Sequence, residues 1–185
     1  MAIKTFASGE ILTASDTNTY LANAGLVYVT QTTIGSGAAS VTINNCFSAT
    51  YNSYEIVITG GGTTSGDYGI NMRLGSTTTG YYFVGEYRNY ANTVNNVING
   101  NNAGQWEATG IATTNTLAAK IFVHNPFLTK NSFYSATYVY NNTAGGIAQM
   151  GGYLNDSTSY TGCTFFMNAS TFSGGTITIY GHRLG

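Results

Sequence analysis

Charge is what this sequence lacks most. Only 7% of its 185 residues are charged, six Lys and Arg against seven Asp and Glu, where ordinary soluble domains carry roughly 25%. Phosphate recognition needs clustered positive charge, and six scattered cations form no cluster, so nucleic acid is excluded as a partner. Long hydrophobic runs are missing too. The longest is a handful of residues, against roughly 20 needed to span a bilayer, so no membrane insertion is expected. No apolar stretch follows Lys4 as a secretory signal would require, which points to synthesis in a cytosol. Cysteine and proline are scarce, with two of the first and one of the second. Cys46 and Cys163 lie at the ends of expected strands. A disulfide between them is open, although two buried free thiols are the plainer reading for a reducing compartment.

Glycine, aromatics and uncharged polar residues fill the space instead. There are 24 Gly, 15 Tyr and 9 Phe, with Asn, Thr and Ser making up most of the remainder. Disordered chains carry few aromatics and much net charge. This chain has the opposite balance and a net charge of −1, so it is expected to fold. Near-zero charge leaves nothing to keep copies apart, which suits a protein packed in an assembly. Sequons at Asn141, Asn155 and Asn168 carry no weight in a chain so rich in Asn, Ser and Thr.

One segment reads as a helix. Thr13 is a candidate N-cap, with Asp16 three residues on as in a capping box, and Ala14 to Asn23 follow before Gly25. Its apolar face is small, and a helix this short needs a surface to lean on. Beyond Gly25 the pattern turns to period two. Strands are expected at Leu26 to Ile34, around Val41 and Ile43, around Ile56 and Ile58, and at Ile70 to Leu74, Tyr81 to Arg88 and Gln105 to Ala112. They continue at Leu117 to His124, Ser132 to Tyr140, Ala148 to Leu154, Thr164 to Asn168 and Thr176 to Arg183. Gly- and Asn-rich clusters such as Gly60 to Gly62 and Asn99 to Asn102 read as turns. The expected fold is all-β: a single β-sandwich or jelly-roll domain over 26–185, preceded by an arm with one helix over 1–25.

Catalytic chemistry is thin. Seven carboxylates, two histidines and two cysteines do not cluster in sequence. His124 and His182 read as strand-end or interface imidazoles. No metal-ligand spacing appears, and neither a cofactor nor a metal is expected. Asp67 and Asp156 read as solvated turn residues. Glu86 and Glu107 could meet across strands, but nothing marks them as a glycosidase pair. No enzyme is expected. Tyrosine carries the one recognition signal, because it joins a rigid apolar face to a polar tip. Tyr87, Tyr90, Trp106, Tyr153 and Tyr160 are candidate surface-recognition residues, with the Asn95 to Asn102 stretch expected as a hydrogen-bonding loop beside them. The same tyrosines also suit core or subunit contacts.

Three stretches resemble a known group of proteins. Phe6 to Asp16, with Asn18, Tyr20 and Leu21, resembles the F-x-x-G-x-V-L-T-A-x-D-x-N-x-Y-L opening of many tailed-bacteriophage virion proteins, with Ile11 in place of Val. Cys46-Phe47-Ser48-Ala49-Thr50-Tyr51-Asn52-Ser53-Tyr54 resembles their N-C-F-S-S-T-Y-x-N-Y segment. Gly174 to Arg183 resembles their G-G-T-I-x-V-Y-G-Y-R close, with His182 where Tyr is usual. The resemblance implies a β-sandwich that assembles as a homotrimer, an N-terminal segment that anchors it to other virion proteins, and no catalytic residues. Ile3, Phe6, Leu12, Tyr20 and Leu21 are the expected virion-anchoring residues. Two roles stay open. One is a tail-fibre or adhesion protein, attached by its arm to the particle and presenting Tyr/Asn-rich loops to a host surface glycan. The other is a capsid decoration (cement) or head-fibre protein that stabilises the shell. The expected location is the virion surface.

Overall fold

The computed structural model describes residues 7–16, 25–91, 95–141 and 145–183. In the arm, the expected capping box forms. Thr13 Oγ1 accepts a hydrogen bond from Asp16 N at 3.1 Å, and Asp16 Oδ2 accepts from Thr13 N at 3.1 Å and Thr13 Oγ1 at 2.6 Å. It opens a single helical turn, α1 (Ala14–Asp16). The rest of the expected helix lies outside the described residues.

Among the described residues the chain is otherwise strands and connections: β1 (Leu26–Thr33), β2 (Ser36–Ala38), β3 (Ser40–Ile43), β4 (Tyr51–Thr59), β5 (Tyr68–Leu74), β6 (Tyr81–Asn89) and β7 (Asn95–Ala103). After these come β8 (Trp106–Ala112), β9 (Leu117–His124), β10 (Ser132–Tyr140), β11 (Gly146–Leu154), β12 (Cys163–Phe166), β13 (Phe172–Ser173) and β14 (Thr176–Arg183). Twelve of them form one antiparallel sheet folded on itself into a sandwich, and β2 and β13 pair separately. The wide leaf runs β1-β14-β4-β9-β10-β11-β6-β7, and the narrow leaf β3-β12-β5-β8. The leaves join where β8 meets the start of β9, at Ile111↔Ala118 and Ala112↔Leu117.

Alternation explains the layering. Strand β10 reads buried–exposed along all nine of its residues, Ser132–Tyr140, because successive side chains point to opposite faces. Inward side chains from both leaves make one core, with Trp106, Tyr54, Tyr81, Phe47, Phe165 and Phe172 the largest fully buried ones. Buried hydroxyls find partners. Tyr54 Oη accepts from Ser48 N and donates to Ser48 O, and Tyr81 Oη accepts from Leu74 N at 2.8 Å.

One stretch departs from the expected pattern. Asn95 to Asn102 is not a loop but most of strand β7, paired along β6 at the edge of the wide leaf. Edge position explains its composition, since only one side of an edge strand must bond to a neighbour. Gly100 is required there. A Cβ at that position would lie 2.2 Å from the Phe83 ring. Asn102 takes a positive φ of 57° at the bulge and its Oδ1 accepts from Gly80 N at 3.0 Å, a backbone shape that Asn tolerates well.

Cys46 and Cys163 are buried free thiols. The Cys163 thiol is pushed well above its ordinary range, first by its hydrogen bond with Cys46 and then by burial.

Candidate functional site

Two surfaces stand out, one on each side of the wide leaf. The outer side is a broad ladder of cross-strand rows. One row runs Leu26, His182, Ser53, His124, Phe133, Tyr153, Tyr82; the next runs Tyr28, Tyr180, Glu55, Phe122, Ser135, Gly151, Val84. Eight of the eleven exposed large hydrophobics described lie on this side: Leu26, Tyr28, Val84, Val97, Phe133, Val139, Ile147 and Tyr153. Concentration of that kind makes this side a candidate interaction surface. Tyr82 and Tyr153 stack at 4.9 Å with rings 6° apart, and Phe133 adds to them at 6.2 Å. Charges on this side are paired in place, Lys120 Nζ to Glu55 Oε1 at 3.1 Å and Arg88 to Glu86 at 3.2 Å. His124 Nδ1 sits 2.8 Å from Ser53 Oγ. His182 Nε2 is buried with no hydrogen-bond partner among the described residues.

The second surface is a groove where the inner side of the wide leaf meets the narrow one. Asp67, Gly69, Ala108 and Ile111 line it from the β5–β8 side, and Tyr87, Ile98, Tyr138 and Tyr140 from the wide leaf, around a space of about 210 Å³. A smaller space of about 180 Å³ continues from it past Tyr68, Asn71, Glu107 and Asn168. A bulge in β8 shapes the floor. Between the pairs Ile70↔Gly110 and Met72↔Trp106 the register slips, and Ala108 takes a φ of 51°. Asn71 holds the bulge, accepting from Ala108 N at 3.3 Å and donating to Asn168 Oδ1 at 2.9 Å. Tyr87 and Tyr140 meet edge to face at 6.2 Å. Burial raises the Tyr138 hydroxyl's pKa above its ordinary value, so it remains a proton donor.

The candidate recognition residues divide between these places and the core. Tyr87 lines the groove. Tyr90 is 70% exposed just past the end of β6, its N–H bonded to Gly145 O. Tyr153 lies on the outer side. Trp106 is a correction: it is fully buried, not a surface residue. Alternation turns it inward, where Tyr134 (4.6 Å) and Tyr81 (5.2 Å) pack on it, and its N–H reaches Tyr153 O at 3.3 Å. Tyr160 is a second correction. Its ring is buried, and its hydroxyl is spent within the chain on Thr77 Oγ1 and Asp156 Oδ2. Both are too well packed at home to meet a ligand.

Of the expected anchoring residues, Leu12 is exposed in the arm, while Ile3, Phe6, Tyr20 and Leu21 lie outside the described residues. Glu86 and Glu107 do not come together. The first is paired with Arg88 on the outer side, and the second lines the continuation of the groove, accepting from Gln105 Nε2. Sequence reasoning missed Asp67, Ile98 and Ala108 as groove residues. No local signal marks them, because the groove exists only through the pairing of distant strands. Among the described residues no His, Cys, Asp and Glu group is placed to hold a metal ion, and no helix is long and apolar enough to cross a membrane. In comparisons with known proteins, no family model matches the chain and no curated protein matches it.

Proposed function

We propose that the chain is a non-enzymatic structural protein of a tailed-phage virion, a homotrimer of the tail-fibre or adhesion type. It docks on other virion proteins through residues 1–25 and turns its Tyr/Asn-rich edge to a host surface glycan. The observation that carries the assembly part is the outer side of the wide leaf. Seven gaps of about 4.8 Å make that side roughly 34 Å wide, and four rows about 6.7 Å apart make it roughly 20–25 Å tall. The product is close to the ~800 Å² per partner of a stable interface.

A second copy is the occupant that the chemistry favours. Both ion pairs on this side are closed within one chain, so it offers a partner apolar rows and no net charge. A strongly charged partner would find nothing to pair with, whereas copies around a three-fold axis set one part of this neutral surface against a different part of the next copy's. The unpartnered His182 Nε2 is a group that a neighbour's donor or acceptor would satisfy. The number three and the phage setting come from the sequence resemblance of the opening, the Cys46 to Tyr54 stretch and the close. Display in trimers makes weak single sites add through effective concentration.

Two measurements test the proposal. Light scattering on the purified chain is expected to give a trimer, and Phe133→Asp with Val84→Asp is expected to give folded monomers. A monomeric native chain at micromolar concentration sinks the assembly claim. Quantitative mass spectrometry of purified virions then gives copies relative to the major capsid protein. A few per cent supports the fibre, whereas a ratio near one or a simple fraction replaces it with the decoration role. Absence from virions ends the phage reading.

A further inference from the structure

We infer that the groove between the leaves is a subsite for one ring of an uncharged sugar, with the tyrosines as its wall and Asp67 as its hydroxyl acceptor; this rests on the adhesion reading above. Its size sets the first limit. At about 210 Å³ it falls below the roughly 300–1,000 Å³ of drug-sized sites, so it takes about one ring. Its chemistry sets the second. Tyrosine rings supply the flat apolar surface that the C–H face of a pyranose packs against, and their hydroxyls bond in either sense.

The polar groups of the groove are available. The hydroxyls of Tyr87, Tyr138 and Tyr140 and the carboxylate of Asp67 make no hydrogen bond within the described residues. Behind them Tyr134 Oη is buried and also without a partner. Of these hydroxyls only Tyr134 Oη is buried, and a buried hydroxyl is nearly always bonded to something; the other three open onto the groove, where a ligand's hydroxyls can meet them. Ala108, on the bulge, keeps the floor low.

Charge narrows the ligand class further. The two charged groups lining the groove and its continuation are the carboxylates of Asp67 and Glu107. The nearby cation, Arg73, is engaged by Gly104 O at 3.0 Å and Gln105 Oε1 at 2.8 Å. A uronic or sialic acid would meet like charge and no cation among the lining residues, which is discrimination by repulsion. A neutral hexose or N-acetylhexosamine meets only acceptors and donors. The groove also stays open in an assembly, because its tyrosines project from the side of the wide leaf opposite the apolar rows.

The test is saturation-transfer NMR on the full chain, with methyl galactoside, N-acetylglucosamine, glucuronic acid and sialic acid as probes. Transfer to at least one neutral probe is expected, with millimolar affinity, and none to the acids. Affinity should fall about tenfold or more in Tyr87→Ala and in Asp67→Ala, with Lys130→Ala, an exposed residue before β10 that does not line the groove, unchanged. Asp67 is exposed and unbonded, so its variant keeps the melting temperature and separates binding from folding. No transfer to any neutral probe, equal transfer to the acids, or full binding by both groove variants overturns the inference. Trimer formation and virion copy number are read separately, so the assembly reading can survive the loss of this one.

Discussion

The two sides of strand β10 are built from similar residues to opposite ends. Inward it presents Tyr134, Ala136, Tyr138 and Tyr140; outward, Phe133, Ser135, Thr137 and Val139. Hydrophobicity does not tell them apart, since each side holds aromatic or β-branched groups. Their cross-strand partners do. On the inner side large meets small: Tyr134 faces Gly152, Ala136 faces Met150, Tyr138 faces Ala148 and Tyr140 faces Gly146. The next strand repeats the rule, with Phe83 on Gly152, Gly85 on Met150 and Tyr87 on Ala148. On the outer side like meets like, Phe133 with Tyr153, Val139 with Ile147 and Ser135 with Gly151. Alternating sizes interdigitate into a filled layer, as cores require. Matched sizes leave ridges and furrows that stay unfilled until another surface supplies the complement. Packing, rather than polarity, separates the core side from the exposed side here.

The largest expected effect breaks the inner side. Trp106→Ala removes the ring on which Tyr81 and Tyr134 rest, and a loss of about 3–5 kcal/mol is expected in denaturant unfolding. Phe133→Ala, 45% exposed on the outer side, should change the stability of the isolated chain by about 0.5 kcal/mol or less while weakening self-association. Equal losses at the two sites would erase the distinction between the sides.

A subtler pair sharpens the same comparison. A Cβ on Gly85 would lie 2.1 Å from Met150 Sδ and 2.4 Å from Gln149 O, whereas one on Gly151 would find its nearest atom, Tyr134 O, at 3.6 Å. Met150 can bend away but the carbonyl cannot. Gly85→Ala is therefore expected to cost about 1–3 kcal/mol. Gly151→Ala is expected to be neutral or to stabilise by about 0.4–1 kcal/mol, through the unfolded chain. Thermal melts of the two variants decide it. Destabilisation by both would mean that the outer side is also closely filled.

Sequence reasoning reached the fold through alternation and lost the site through distance. Leu117 to His124 and Ser132 to Tyr140 are read to the residue as β9 and β10, because period two and β-branched content are local. The Thr13–Asp16 cap is local too, and forms. Asn95 to Asn102 misleads because Asn and Gly speak for turns, and only its place at a sheet edge makes a strand of it. Trp106 misleads for a different reason. An aromatic residue suits core and binding site alike, and the decision rests on its neighbours Tyr81 and Tyr134, 25 and 28 positions away. The groove combines β5, β6, β7, β8 and β10 around a bulge that no spacing announces. His182 leaves one buried nitrogen unpartnered among the described residues, which only the three-dimensional rows bring to notice.

A smaller loss than at Trp106 or Gly85 is expected at Tyr160, whose hydroxyl is bonded within the chain. Its hydroxyl lies 2.6 Å from Thr77 Oγ1 and 2.7 Å from Asp156 Oδ2, tying the segment after β11 to the turn after β5. Tyr160→Phe keeps the buried ring and removes both contacts, so a loss of about 0.5–1.5 kcal/mol is expected. The variant should also change the acid limb of stability. Hydrogen bonds from Thr158, and then from Tyr160, hold the Asp156 carboxyl below its usual range. A carboxyl with a depressed pKa in the folded state stabilises at pH above its unfolded value, about 3.9. That contribution fades as pH falls through the folded value. Denaturant midpoints from pH 6 downward should therefore decline below about pH 4 in the native chain, and less steeply in Tyr160→Phe, which has less of this contribution to lose. Parallel curves would show that Thr158 alone holds the carboxyl, and that the Tyr160 hydroxyl serves the turn at Thr77.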